Sequence, residues 1–132
     1  MQIREITASD LEAVYRLLAA NGWAHRIPDE ACLAKLVAAS QHAWVAMLDG
    51  EIAGFARALT DGLSNGYLSM VVVAAPFRGR GIGRALVERI VGAGEDITWV
   101  LRAGRDGAPA FFARLGFVNS TLAMERPRTT RG

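Results

Sequence analysis

Apolar residues recur along this chain with two periods, and the switch from one to the other predicts an order of elements. Ile3 and Ile6 alternate loosely with charge over Gln2 to Thr7, which reads as a short first strand. Thr7 and Asp10 form a Ser/Thr-x-x-acid capping pair, and Leu11, Val14, Leu17 and Leu18 follow at helical spacing. A first helix is therefore expected to run to about Ala20 and stop near Gly22. Pro28, Asp29 and Glu30 open a second helix, since proline suits a first turn and carboxylates favour the positive end of the helix dipole. Leu33, Leu36 and Val37 are its buried stripe.

Ala43 to Leu48 and Glu51 to Leu59 are apolar runs joined by Asp49-Gly50, a dipeptide suited to a two-residue hairpin, and predict two antiparallel strands. Tyr67 to Val73 is nearly all apolar, as a central strand covered on both faces would be, and Pro76 ends it. Ile82, Leu86 and Ile90 with their neighbours form a helical stripe that closes at Gly92 and Gly94. Ile97 to Leu101 reads as another buried strand. Pro109 opens a short helix with Phe111, Phe112 and Leu115, Gly116 ends it, and Phe117 to Asn119 and Thr121 to Glu125 are expected as the last strands. The fold class implied is α/β: a mixed, mostly antiparallel sheet with helices on both faces.

Length and composition narrow this further. A chain of 132 residues, 52% of them hydrophobic, is the size of one domain with one core, expected over residues 1–126, with 127–132 a flexible tail. Cys32 is the single cysteine, so neither a disulfide nor a cysteine metal site is expected, and no other metal site is either. No apolar stretch approaches the roughly 18 residues of a membrane span, and the N-terminus lacks the order of a signal peptide, so a cytoplasmic protein without membrane contact is expected. A net charge of +2, from 15 basic and 13 acidic residues, is far weaker than a nucleic-acid binder normally carries. Local charge matters more. Arg78, Arg80 and Arg84 lie within seven positions, and no acidic residue stands between Asp61 and Glu88.

Those arginines lie in the stretch that carries chemistry, Val71-Val72-Val73-Ala74-Ala75-Pro76-Phe77-Arg78-Gly79-Arg80-Gly81-Ile82-Gly83-Arg84. A strand runs into a glycine-rich loop and the loop into a helix, whose first free N–H groups make an anion site. Glycines at 79, 81 and 83 would let a phosphate approach the backbone, and the arginines would add charge-assisted hydrogen bonds. A Walker loop needs Gly-Lys-Ser/Thr where this chain has Gly81-Ile82-Gly83, and a dinucleotide fingerprint starting at Gly79 needs glycine where it has Arg84. What fits is Arg-x-x-Gly-x-Gly, with Arg78, Gly81 and Gly83, after Val73-x-x-Pro76.

In that motif, and in element order over nearly the whole chain, the sequence resembles the GCN5-related N-acetyltransferase family. The resemblance implies that Arg78, Gly79, Arg80, Gly81, Ile82, Gly83 and Arg84 hold the pyrophosphate of acetyl-coenzyme A. It implies too that Val71, Val72 and Val73 pair with the pantetheine arm, and that a peptide N–H near Val71 or Val72 polarises the thioester carbonyl. Ala110 to Phe117 is similar to the family's helix-then-Gly-Phe segment, and the tyrosine that usually protonates the departing thiolate falls at Phe112, a cofactor-wall residue without a hydroxyl. The asparagine often found seven residues earlier falls at Arg105.

The resemblance thus implies an N-acetyltransferase that moves an acetyl group to a small-molecule or peptide amine; the weak net charge leads to no nucleic-acid partner being expected, and a homodimer is left open. Tyr67 and His25 are the candidate bases, with Asp49, Glu51 and Asp61 acting through water as further ones. Each also has a plainer reading: Tyr67 as an amphipathic cap on the core, His25 and Trp23 as ordinary residues of the connection between the first two helices, the acids as solvated turn residues. The rival functions are a coenzyme A-binding sensor that has lost turnover, which the missing hydroxyl at Phe112 favours, and a nucleic-acid module using the arginine cluster.

Overall fold

The computed structural model describes residues 1–92 and 96–129. The chain groups into two compact units, Met1–Leu101 and Arg102–Gly132.

The first unit is a mixed sheet. Strands β1 (Gln2–Glu5), β2 (His42–Leu48), β3 (Glu51–Thr60), β4 (Asn65–Val73) and β5 (Thr98–Val100) lie side by side in chain order. The first four pair antiparallel, and β5 joins β4 in parallel. Asp49 and Gly50 both take positive φ, 53° and 77°, which gives the two-residue β2–β3 hairpin the twist its strands require.

Helices α1 (Leu11–Leu18) and α2 (Glu30–Ala38) cover one face of the sheet, where Val14, Leu18, Ile27, Leu33, Val45, Phe55, Met70 and Val72 form the core. Helix α3 (Ile82–Val91) covers the other through Ile82 and Leu86, whose methyl groups lie against Gly54 of β3. Local chemistry sets the helix ends. Asp10 accepts from the Thr7 N–H at 2.7 Å, closing a 3₁₀ turn that leads into α1. Asp29 caps α2 by accepting from the Cys32 N–H at 2.8 Å, so Pro28 falls just before the cap instead of inside the first turn. Gly92 ends α3 at φ 64°. Gly94, expected to close the same helix, lies outside the described residues, as do positions 130–132 of the expected tail.

β5 differs from expectation. It is short and only half-buried, with Thr98 and Val100 exposed and Trp99 turned inward. Gly66 of β4 explains the tight seat of Trp99: a Cβ at Gly66 would come within 2.3 Å of the indole ring, so only glycine lets that ring lie against the strand.

In the second unit, α4 (Ala108–Ala113) starts at Gly107 with Pro109 in its first turn, as expected, and Gly116 at φ 95° ends the segment. The strands expected over Phe117 to Asn119 and Thr121 to Glu125 are not formed. The Ser120 hydroxyl accepts from the N–H groups of Leu122 and Ala123 at 3.0 and 2.9 Å, which bends the chain and takes donors that a ladder would need. Val118, Leu122 and Met124 accordingly stay exposed.

Candidate functional site

The site begins with a break in pairing. β5 follows β4 only across Asn65, Gly66 and Tyr67, so among the described residues no strand lies beside the edge of β4 that faces away from β3 from Leu68 onward. On the β3 side the register slips by one between Phe55 and Arg57, placing both Met70 and Val71 of β4 opposite Ala56. Met70 carries the bulge at φ 56°, a left-handed conformation that a side-chain-bearing residue enters only at a cost. An extra residue re-aims the peptide groups next to it. Beyond the bulge, Ala74 N–H donates to Ala53 O at 2.8 Å, and the alternation of an antiparallel ladder turns the peptide groups of Val73 to the open edge. Of the three valines expected to meet a ligand, Val71 and Val73 are half-buried, whereas Val72 packs into the core.

The open edge leads into the glycine loop. A 3₁₀ turn at Ala75–Phe77 lifts the chain off β4, and Gly79 and Gly81 take φ 80° and 81°. No protein atom lies near where their Cβ atoms would be, so backbone conformation, not crowding by the protein, requires glycine there. Gly81 is the N-cap of α3, and the first bond of that helix runs from Ala85 N–H to Gly81 O at 3.0 Å. The N–H groups of Ile82, Gly83 and Arg84 therefore precede the helical ladder and lie at the positive end of its dipole. Gly83 is buried in the first turn of the helix.

The three arginines divide by task. Arg78 is occupied within the protein: its Nε donates to Val73 O at 3.1 Å and its Nη2 to the Asn21 side chain. It clips the end of β4 to the wide turn Ala19–Trp23 that follows α1. Arg80 lies over the Phe77 ring at 5.6 Å, and Arg84 makes an exposed pair with Glu88 at 3.3 Å. Those two remain at the surface beside the helix start.

Tyr67 stands at the fork itself, as the last β4 residue paired with β5, and it lines an open hollow of about 530 Å³ together with Gln41, Thr60, Asp61 and Asn65. Asp61 is held by its own loop. Its carboxylate accepts from the N–H groups of Ser64, Leu63 and Asn65 and from the Ser64 hydroxyl, which pushes its pKa well below the usual carboxylate range and makes it a poor base. His25 is exposed in the turn after Trp23, and Asp49 and Glu51 are exposed at the β2–β3 hairpin. Phe112 belongs to the second unit, where its ring meets Phe111 and Phe117 edge to face at 4.9 and 5.6 Å. Among the described residues, no group of three or more metal-ligating side chains is found.

Arg57 was not foreseen. It is 7% exposed on β3 and has no carboxylate partner among the described residues. Its Nε donates to the Ser40 hydroxyl at 2.9 Å, and Nη1 lies 4.0 Å from the sulfur of Met70, the bulge residue. Burial lowers its pKa, and the nearby phenol of Tyr67 acts the other way. The sequence did carry a signal: Phe55, Arg57 and Leu59 alternate, and that puts arginine on the same face as a core phenylalanine.

The family model described as acetyltransferase (GNAT) domain matches residues 39–119. An N-alpha-acetyltransferase, MAK3, from Arabidopsis thaliana is 40% identical over 60 residues, 42% of this chain. The match spans 32% of that relative's length. Among solved structures, a protein assigned to the GNAT family from Xanthomonas campestris pv. campestris superposes with a TM-score of 0.78 at 25% identity, covering 97% of this chain and 94% of the other. A ribosomal-protein-alanine N-acetyltransferase from Brucella melitensis biovar Abortus 2308 has the same fold, with a TM-score of 0.78 at 22% identity over 98% of this chain and 99% of its own.

Proposed function

The chain belongs to the GNAT acetyltransferase family, and from that premise we propose that it transfers an acetyl group from acetyl-coenzyme A to an amine. The observation that carries the reading is the open edge of β4: a bulged strand, unpaired beyond Tyr67, that leads directly to the free N–H groups opening α3. The pyrophosphate meets the N–H groups of Ile82, Gly83 and Arg84, with the exposed Arg80 and Arg84 adding charge. The pantetheine arm lies along Val71 to Val73, which puts the thioester at the bulge. A peptide N–H there donates to the carbonyl oxygen and stabilises the charge that develops on it.

The amine nitrogen then attacks the carbonyl carbon, the C–N bond forms, and the C–S bond breaks to release coenzyme A thiolate. The surplus proton of the ammonium leaves to a base, for which Tyr67 at the fork is better placed than the surface residue His25. The protein contributes proximity and a polarised carbonyl. The acceptor is a small molecule or a peptide; the names of the Arabidopsis and Brucella proteins speak for the peptide. Phe112, where the resembling family carries a tyrosine, favours a second reading, a coenzyme A-binding module without turnover.

Thiol release from acetyl-coenzyme A, measured over a panel of amino acids, peptides and polyamines, separates these readings when calorimetry of coenzyme A binding is run beside it. Release with at least one amine class is expected. Arg84→Glu places a negative charge beside the proposed pyrophosphate and should weaken coenzyme A binding about tenfold or more, with little change in melting temperature because its pair with Glu88 is exposed. Binding without release over the whole panel selects the second reading, and absence of binding at millimolar coenzyme A rejects both.

A further inference from the structure

A buried guanidinium without an acidic partner is costly to keep. Water is largely removed from it, and no opposite charge replaces that water. In Arg57 one donor is used well, Nε to Ser40 Oγ, and that hydroxyl is fixed in turn by donating to Leu36 O. Nη1 has only the soft sulfur of Met70 at 4.0 Å. No acceptor among the described residues meets Nη2, and this atom is not among those sealed from solvent without a partner, so it keeps contact with water. Asp61, the carboxylate of the neighbouring hollow, has its oxygens committed to its own loop. The guanidinium is thus oriented by one bond, with its outer donors unspent.

Its position makes that arrangement informative. Arg57 pairs across the ladder with Ser69, one residue before the bulge at Met70, and it shares a sheet face with Phe55 and with Leu59, the partner of Tyr67. Its charge therefore lies within about two residue steps of the bulge along β4. We infer that Arg57 recognises the acceptor: its guanidinium receives a carboxylate of the amine substrate, so that the preferred acceptors carry a carboxylate a few bonds from the reacting nitrogen. This rests on the acetyl-transfer reading for where the amine stands. Guanidinium and carboxylate are matched in geometry as well as charge, and a partly desolvated pair is stronger than an exposed one. A carboxylate of that kind comes from a free amino acid or from an acidic first residue of a peptide.

Paired acceptors that differ only in the carboxylate test the inference: glycine and glycinamide, β-alanine and its amide, and C-amidated dipeptides that begin with aspartate or asparagine. The wild type should favour the carboxylate member of at least one pair through KM, and which pair shows the preference identifies the source. In Arg57→Met the ratio of kcat/KM within that pair should collapse by about ten- to hundredfold, the worth of a hydrogen bond to a charged group. Arg57→Lys, which keeps the charge but loses the planar fork, should retain part of it. Equal loss of kcat on both members of every pair would mean that Arg57 acts on the thioester oxygen, and an unchanged ratio would mean a structural role. Either result overturns the inference.

One arm does not depend on turnover. The Nε–H of Arg57, protected by its bond to Ser40, can be followed by NMR in the wild-type protein with coenzyme A bound while acetate or N-acetylglycine is titrated in. A saturable shift of that signal, absent with N-acetylglycinamide, is expected. No shift overturns the carboxylate site even if acetyl transfer is found, whereas a shift in a protein that releases no thiol leaves the site standing and removes the acetyl-transfer reading.

Discussion

The Arg4 guanidinium grips the Asp10 carboxylate at 2.7 and 2.9 Å. That hydrogen-bonded pair, helped by the Thr7 N–H and hydroxyl and opposed by burial, lowers the Asp10 pKa to about 2. A carboxylate with a folded-state pKa below its unfolded value stabilises the fold at pH above the unfolded value, near 4, and loses that contribution as pH falls toward 2. The contribution at neutral pH is about 2 kcal/mol. Asp10→Asn should therefore melt lower than wild type at pH 7, with the difference shrinking between pH 4 and pH 2. Parallel melting curves across that range would show that the Arg4 pair is not the source of the stability.

At the scale of elements, periodicity and capping residues located each of α1 to α4 and the antiparallel strands, because those signals are local. Strand pairing is not local. The expected last strands failed where Ser120 diverts backbone donors, and the β4 bulge could not be read from an uninterrupted apolar run, since it arises from register against β3. The parallel contact of β4 with β5 depends on a similar unseen fit, Gly66 against Trp99. Gly66→Ala should cost about 1–3 kcal/mol by overpacking, because the obstructing atoms belong to a rigid ring. The mechanism makes a sharper claim than the number. In a Trp99→Leu background the ring is absent, so the same alanine should cost markedly less, and the coupling is read as a double-mutant cycle in chemical denaturation. Additive costs would place the strain of Gly66→Ala in the backbone instead of in the indole. The cycle also bears on the site, since Tyr67 at the fork follows Gly66 directly.

For the molecule as a whole, the order of elements and one glycine loop sufficed to name the family, whereas the proposed site rests on the way β4 is held: paired with β3 along one edge, released by β5 along the other, and bulged between. Such an edge leaves backbone groups and half-buried valines to solvent that a ligand lying as an added strand would cover. The proposed cosubstrate should therefore act as part of the fold's stability. A ligand that binds only the native state contributes by mass action, about 2.7 kcal/mol at a free concentration a hundredfold above Kd. For a chain of this length that corresponds to a rise in melting temperature of about 10 °C. The rise should grow with the logarithm of coenzyme A concentration, which separates specific binding from a general effect of a polyanion. Fragments divide it further. Adenosine 3′-phosphate 5′-diphosphate, which keeps the pyrophosphate but lacks the pantetheine arm, should retain little of the shift if the β4 edge carries the affinity, and most of it if the loop and the start of α3 do. Because the N–H groups of Ile82, Gly83 and Arg84 already precede the helical ladder, the proposed pyrophosphate end should need little reorganisation. Desulfo-coenzyme A, which keeps both ends but lacks the sulfur, should match coenzyme A closely. A desulfo analogue that gave no shift would locate the binding energy at the sulfur and contradict a site built from loop, helix start and strand edge.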